Sequence, residues 1–374
     1  MDFALTEEQR AVVELAEQIF TDKCAPEVLR QVESGADWFH RDLWDALAAA
    51  GLLGIPLPES VGGGGFGVVE ACLLLREAGR AVAPVPIWST LTAAMTVAER
   101  GTDEQRSTWL PGVVDGSTAL AVALDEPASD PRDPQVTAAR DGDRWVLRGT
   151  KTNAPAVHLA SAVLVPARLD GASADGATDD VAVFVVPTDD AGLVALRQDT
   201  FNHEPHFQID LGDVVVGDEA RLPGGRSTLD RLVDLATVGL CALASGVADG
   251  GTIRTAVYVS ERKQFDRPIG SFQAVGHRMA DCYIDNEAIR LTMLQAATRL
   301  AAGEPADREV AVAKYWASYG GRRVGHADLH LHGGISIDLD YPIHRYFLWA
   351  KQLELQLGAA GPQLARLGRL IAAG

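Results

Sequence analysis

The runs SAVLVPARL (161–169) and DVAVFVVP (180–187) are dominated by β-branched and small apolar residues. Each is too short for a stable helix and ends in turn-forming residues, which predicts a pair of strands. The polar stretch Asp170–Asp180 between them then reads as an exposed hairpin loop. Further runs of the same kind lie on either side: ALAVAL (119–124), RWVLRGT (144–150), GLVALR (192–197) and FQIDLGDVVV (207–216). Six or seven short strands at this spacing predict a small antiparallel β-barrel or sandwich.

Outward from this block the hydrophobic period changes to that of helices. Upstream, Thr6 and Gln9 form a potential capping box, and Leu5, Val12, Val13, Leu15, Ala16 and Ile19 keep mostly to one face. More helical segments are expected near 40–50, 68–80, 88–100 and 103–114. The run PESVGGGGFG (58–67) lacks the Lys-Ser/Thr ending of a P-loop and follows no clear strand, so it reads as a flexible helix–helix connection. Downstream, long helical segments over about 227–264, 271–302, 306–330 and 343–370 predict an antiparallel bundle. The class is therefore α+β in three parts: helical 1–118, a β-domain 119–218, and a helical bundle 219–374.

Composition narrows the partners. Lys plus Arg number 33 against 51 for Asp plus Glu, a net charge of −18. Such a field excludes nucleic-acid backbones, and an anionic ligand needs a local cluster of Arg and backbone N–H groups. Cys24, Cys72, Cys241 and Cys282 form no C-x-x-C pair, so neither zinc nor a disulfide framework is indicated. The acidic start MDFALTEEQR is no signal peptide, and Leu235–Ala248 falls short of the ~20 residues that a bilayer requires. Free thiols in a cytoplasmic protein are the expectation.

Two stretches bear chemistry. In YVSERKQFDRPIGSFQ (258–273), Tyr258 and Arg262 share a helix face, and Pro268 ends the helix soon afterwards. Arg262, Phe265 and Gln273 offer a guanidinium fork, an aromatic face and an amide. A plain charged helix end with Phe265 plugging the core accounts for the pattern equally well. In HLHGGISIDLDYPIHR (330–345), a helix ends at Gly333–Gly334, where exposed backbone can approach an anion or simply cap the helix. His330 and His332 point to different faces, which argues against a two-His metal site.

Taken with the three-part architecture, these segments resemble the acyl-CoA dehydrogenase family along essentially the whole chain. ERKQFDRPIGSFQ is similar to the family's R-x-Q-F-G-x-x-I…Q segment, and HLHGGIS to its Q-x-x-G-G-x-G segment. The resemblance implies a helical domain, an antiparallel β-barrel and a four-helix bundle, usually in a tetramer with FAD at subunit interfaces. It assigns Arg262, Phe265, Gln273, His330, Gly333 and Gly334 to the ADP half of an FAD bound by a neighbouring subunit. His330 stands where the family usually has Gln, and Asp266 and Ser336 replace Gly.

Other family features are missing. Removing an α-proton from an acyl thioester needs a carboxylate base within hydrogen-bond reach. The family's Glu position falls on Leu357, and the alternative position used by a second group falls near Ala236. Asp230, Asp234 and Glu354 lie within two turns of these places and read as solvated helix acids. The family's T-E-P-x-A-G-S-D loop, which lines the flavin, appears as LDEPASDPRDP (124–134), and its W-I-T-N strand as the shortened GTKTNAPAV (149–157).

The resemblance thus implies a hetero-oligomer. In it this chain lends FAD contacts to a related catalytic subunit, as in the α2β2 enzymes of bacterial steroid side-chain breakdown. QFDRPIGSFQAVG, RLT, HGG and HRYFLWAKQ are similar to the non-catalytic subunit of the cholesterol side-chain enzyme. The implied substrate class is a steroid side-chain CoA thioester, desaturated next to the thioester. A self-sufficient homotetramer with a displaced base, such as Glu354, and a pure scaffold subunit are the alternatives.

Overall fold

The computed structural model describes residues 3–170 and 180–373; most of the expected 170–180 hairpin loop lies outside them. Two compact units interleave along the chain. One comprises residues 1–36, 68–84 and 237–374, the other 37–67 and 85–236. The expected 1–118 helical segment is thus shared between them.

In the first unit, helix α1 (Glu7–Lys23) opens on the expected capping box: Gln9 N–H donates to Thr6 Oγ1 at 3.2 Å, and Thr6 N–H to Gln9 Oε1 at 3.0 Å. α2 (Pro26–Ser34) follows, and α4 (Val68–Arg80) packs on α1. Long helices complete the unit: the later part of α7 (Gly225–Glu261), α8 (Gln273–Ala301), α9 (Asp307–His332), α10 (Ile343–Leu355) and α11 (Ala360–Ala372). α9 is the hub, packed against α8, α10 and α11. A Cβ on Gly246 of α7 would strike the Arg76 carbonyl of α4, so glycine is required where these two helices touch.

The last predicted segment, 343–370, divides in two because Leu357 and Gly358 adopt φ of 53° and 91°. That left-handed turn cannot continue a right-handed helix. α7 is long and apolar enough to span a membrane, but its most apolar window is 89% buried, as a core helix is.

In the second unit, helices α3 (Arg41–Ala49), α5 (Ile87–Arg100) and α6 (Asp103–Val114) accompany one curled seven-stranded sheet. Its strands are β1 (Ala119–Val122), β2 (Thr137–Asp141), β3 (Arg144–Pro155), β4 (Ala160–Leu169), β5 (Val181–Pro187), β6 (Leu193–Gln198) and β7 (His206–Gly217). The order is β1-β4-β2-β3-β7-β6, with β5 on β4. Pairing is antiparallel as expected except at β4, which runs parallel to β1 and β2. The opening pair of runs forms the antiparallel ladder β4·β5, with Val165 opposite Phe184. Val163, Val165, Phe184, Val186 and Ile209 build the sheet core.

The Gly run 58–67 is more ordered than its composition predicts. Gly63 N–H donates to Pro58 O at 3.1 Å, Gly64 N–H to Gly54 O at 3.0 Å and Gly65 N–H to Leu57 O at 2.8 Å. Glycine is needed there for close backbone approach. All four cysteines are free and buried, as their spacing implied.

Candidate cofactor-contact site

α7 stops at Glu261, earlier than the expected 264, because the chain turns into a two-stranded hairpin. Strands β8 (Lys263–Gln264) and β9 (Arg267–Pro268) pair across a two-residue turn. Phe265 and Asp266 occupy that turn with φ of 53° and 61°, the left-handed pair that a tight hairpin demands. Asp tolerates this region; Phe rarely enters it, and strain of this kind concentrates at functional sites. Ile269 N–H donates to Arg262 O at 2.8 Å and closes the hairpin base. Phe265 is 87% exposed, so it is no core plug. Its ring meets the edge of Phe272, centroids 6.0 Å apart. Arg262 is exposed, and among the described residues its guanidinium has no hydrogen bond or ion pair. Gln273, also exposed, opens α8.

The second segment comes from the end of α9. Gly333 takes φ 63°, ψ −141°, and its N–H donates back to the His330 and Leu329 carbonyls. The expected glycine C-cap therefore exists, and this N–H is already used. Both Gly333 and Gly334 are exposed, and a Cβ on either would meet nothing within 4 Å. His330 is exposed and His332 is buried, facing apart as expected. The two segments meet where Tyr258 Oη donates to the His332 carbonyl at 3.3 Å, one turn before Arg262.

Sequence reading missed what lies beneath. His332 Nδ1 sits 2.8 Å from the Asp328 carbonyl, and Nε2 is buried with no hydrogen-bond partner among the described residues. Asp328 is 2% exposed and accepts a hydrogen bond from Thr255 Oγ1 at 2.8 Å. Burial raises its carboxyl to about 7 despite that bond, whereas burial lowers the His332 imidazole. The one signal available was an acid at i−4 to a histidine on an apolar helix face.

None of the acids weighed as a base is unengaged. Asp230 and Asp234, four apart on α7, grip Arg132 at 3.0 and 2.6 Å. Glu354 accepts from Lys351 Nζ at 2.5 Å. Leu357 is 4% exposed, and Ala236 is fully buried with its carbonyl bonded to Trp88 Nε1 at 2.9 Å.

The loops of the sheet unit are likewise tied to one another. Asp125 Oδ2 accepts from Asn153 Nδ2 at 2.9 Å, Asn153 Oδ1 lies 2.6 Å from His206 Nδ1, and His206 Nε2 lies 3.0 Å from Glu204. Glu126 is sealed against Lys151 at 2.5 Å, both side chains nearly inaccessible. Pro155, which ends β3, has no N–H to offer a ligand.

Comparison with known proteins gives three family-model matches: acyl-CoA dehydrogenase N-terminal domain over residues 6–117, middle domain over 119–213, and C-terminal domain over 225–371. Acyl-CoA dehydrogenase FadE27 of Mycobacterium tuberculosis is 40% identical, over 100% of this chain and 99% of the relative. A chain of the solved ChsE4-ChsE5 complex from Mycobacterium tuberculosis superposes with a TM-score of 0.94 at 40% identity, covering 100% of both chains. A chain from a variant of the Tcur3481-Tcur3483 steroid ACAD superposes with a TM-score of 0.92 at 46% identity, covering 98% of each.

Proposed function

The chain belongs to the acyl-CoA dehydrogenase family, FAD oxidoreductases acting on CH–CH bonds, and from that premise we propose that it is the cofactor-lending subunit of a hetero-oligomeric steroid acyl-CoA dehydrogenase. Its partner is a related catalytic chain, and the substrate class is a steroid side-chain CoA thioester. The relatives named for steroids and for two-component complexes support this reading. FAD supplies the hydride acceptor of the family reaction.

The carrying observation is an asymmetry. Among the described residues Arg262 has no ion pair or hydrogen bond and Phe265 is 87% exposed, while Leu357 stands where the resemblance puts the family's base. An exposed guanidinium, an aromatic face, the Gln273 amide, His330 and the open Gly333–Gly334 backbone together suit the ADP half of FAD presented from outside. Arg262 would pair with a phosphate oxygen, and Phe265 would cover the adenosine. Leu357 accepts no proton, so this chain leaves proton abstraction to its partner.

Co-expression with a candidate partner, followed by mass and flavin stoichiometry, tests the reading. Fewer FAD than chains is expected, with marked FAD loss in Arg262→Ala. One FAD per chain in a homo-oligomer would establish the self-sufficient alternative. A hetero-oligomer whose FAD content ignores Arg262→Ala would leave only a scaffold role.

A further inference from the structure

A cleft of about 410 Å3 lies within the first unit, where the ends of α1 and α4 meet the later part of α7 and Tyr346 of α10. Phe20, Pro26, Ala81 and Ile253 form its apolar walls, and Glu17, Glu77, Arg80 and Arg254 its charged ones. These charges do not all cancel in place. Arg80 Nη1 donates to Glu17 at 3.1 Å and to Glu77 at 3.0 Å, and Arg80 Nε lies 3.2 Å from Asp249. Arg76 holds the other oxygen of Glu77 and also Asp249, both at 2.9 Å. Three carboxylates thus share two guanidinium groups, and burial raises the Glu77 carboxyl even with both arginines beside it. Arg254 is the reverse case. Its Nε donates to Tyr346 Oη at 2.8 Å, and the guanidinium lies over that ring at 5.2 Å. Tyr346 Oη in turn donates to the Arg80 carbonyl at 2.9 Å, which fixes the ring and the arginine upon it. Among the described residues Arg254 has no ion pair, and its two terminal amino groups make no hydrogen bond.

We propose that this cleft binds a free amino acid with an apolar side chain, its carboxylate on Arg254 and its ammonium on Glu17. One unmet positive charge and one surplus negative charge between apolar walls match a zwitterion. An anion alone would face the surplus carboxylate, and a cation alone the free guanidinium. A guanidinium oriented through its Nε can take a carboxylate by two parallel N–H groups. The ligand's side chain then covers Phe20, Pro26 and Ile253, which gives the site its preference for apolar residues. The volume lies within the ~300–1,000 Å3 of small-molecule sites. None of these residues belongs to the Phe265 hairpin or to the Gly333–Gly334 turn, so the site is independent of the proposed cofactor contact.

Calorimetric titration of the full chain with leucine, 4-methylpentanoate and 3-methylbutylamine is the test. The second compound is leucine without its ammonium, and the third is leucine without its carboxylate. Saturable 1:1 binding of leucine is expected, with each fragment about tenfold weaker or more. Arg254→Gln should weaken leucine about tenfold or more and leave the weak binding of the amine unchanged. Glu17→Gln should weaken leucine and the amine alike. Both residues are exposed, and circular dichroism checks that the variants fold. No leucine binding at millimolar concentration, 4-methylpentanoate binding as tightly as leucine, or an Arg254→Gln chain that binds leucine like the wild type overturns the proposal. FAD content of the co-expressed Arg262→Ala complex is a separate measurement, so either idea can fail alone.

Discussion

Tyr258 lies flat against His332, with ring centroids 4.4 Å apart and planes 23° from parallel. Tyr341 closes on the same imidazole at 5.3 Å. The contact pins the last turn of α7 to the last turn of α9, so Arg262 and the Gly333–Gly334 turn are held by one aromatic stack. Replacing Tyr258 by Ala should cost about 1–3 kcal/mol, from lost stacking and apolar burial. Tyr258→Phe keeps the ring and loses only the 3.3 Å hydrogen bond to the His332 carbonyl, at about 1 kcal/mol. Urea unfolding of the two variants measures both, and equal losses would show that the ring is not what joins these ends.

Leu357→Glu puts a carboxylate where the proposed function places the family's missing base. The side chain there is 4% exposed and the backbone is left-handed at φ 53°. A buried, unpaired carboxylate costs several kcal/mol or stays protonated. The variant should therefore melt lower than wild type and still fail to desaturate acyl-CoA on its own. Flavin bleaching by acyl-CoA in the isolated variant would mean that only the base was missing.

Lys151→Met should be the most damaging single change in the sheet unit. It strands the Glu126 carboxylate, whose side chain is 3% exposed, with the Gln135 and Val136 N–H groups at 2.5 and 3.2 Å. Breaking one side of a buried pair costs ~3–5 kcal/mol, whereas removing both charges costs much less. Denaturant midpoints of K151M and of K151M/E126Q give the comparison. A double variant as unstable as the single one would assign the loss to packing.

How much of this was legible beforehand depended on how local each signal was. Val163, Val165, Phe184 and Val186 announce strands by pattern alone, and the capping residues Thr6 and Gln9 name a helix start outright. The parallel register of β4 with β1 and β2 was not legible, because pairing partners distant in sequence leave no periodic trace. Phe265 shows the same limit at the candidate site. A helical pattern runs through 264, yet a left-handed pair at 265 and 266 turns the chain, and neither residue is the glycine that marks such turns. Asp328 and His332 stayed hidden for a different reason. Their environment is made by α7 meeting α9, so only the assembled unit reveals a buried acid beside a buried imidazole.

That acid gives the last prediction. An unfolded Asp titrates near 3.9, while Asp328 in the folded chain titrates near 7, raised by burial. Between these values the folded chain keeps a proton that the unfolded chain releases. The stabilisation is complete below pH ~4 and is lost as pH rises through ~7, at up to ~1.4 kcal/mol per unit. His332, lowered by burial, acts in the opposite sense, its contribution being present above the unfolded imidazole value and lost as pH falls. The difference between wild type and Asp328→Asn isolates the acid from the histidine. Asn keeps an oxygen to accept from Thr255 and cannot ionise, so the variant should lose less stability than wild type between pH 5 and pH 8. Urea midpoints at the two pH values decide it: parallel losses in both proteins would mean that Asp328 does not change its charge in this range.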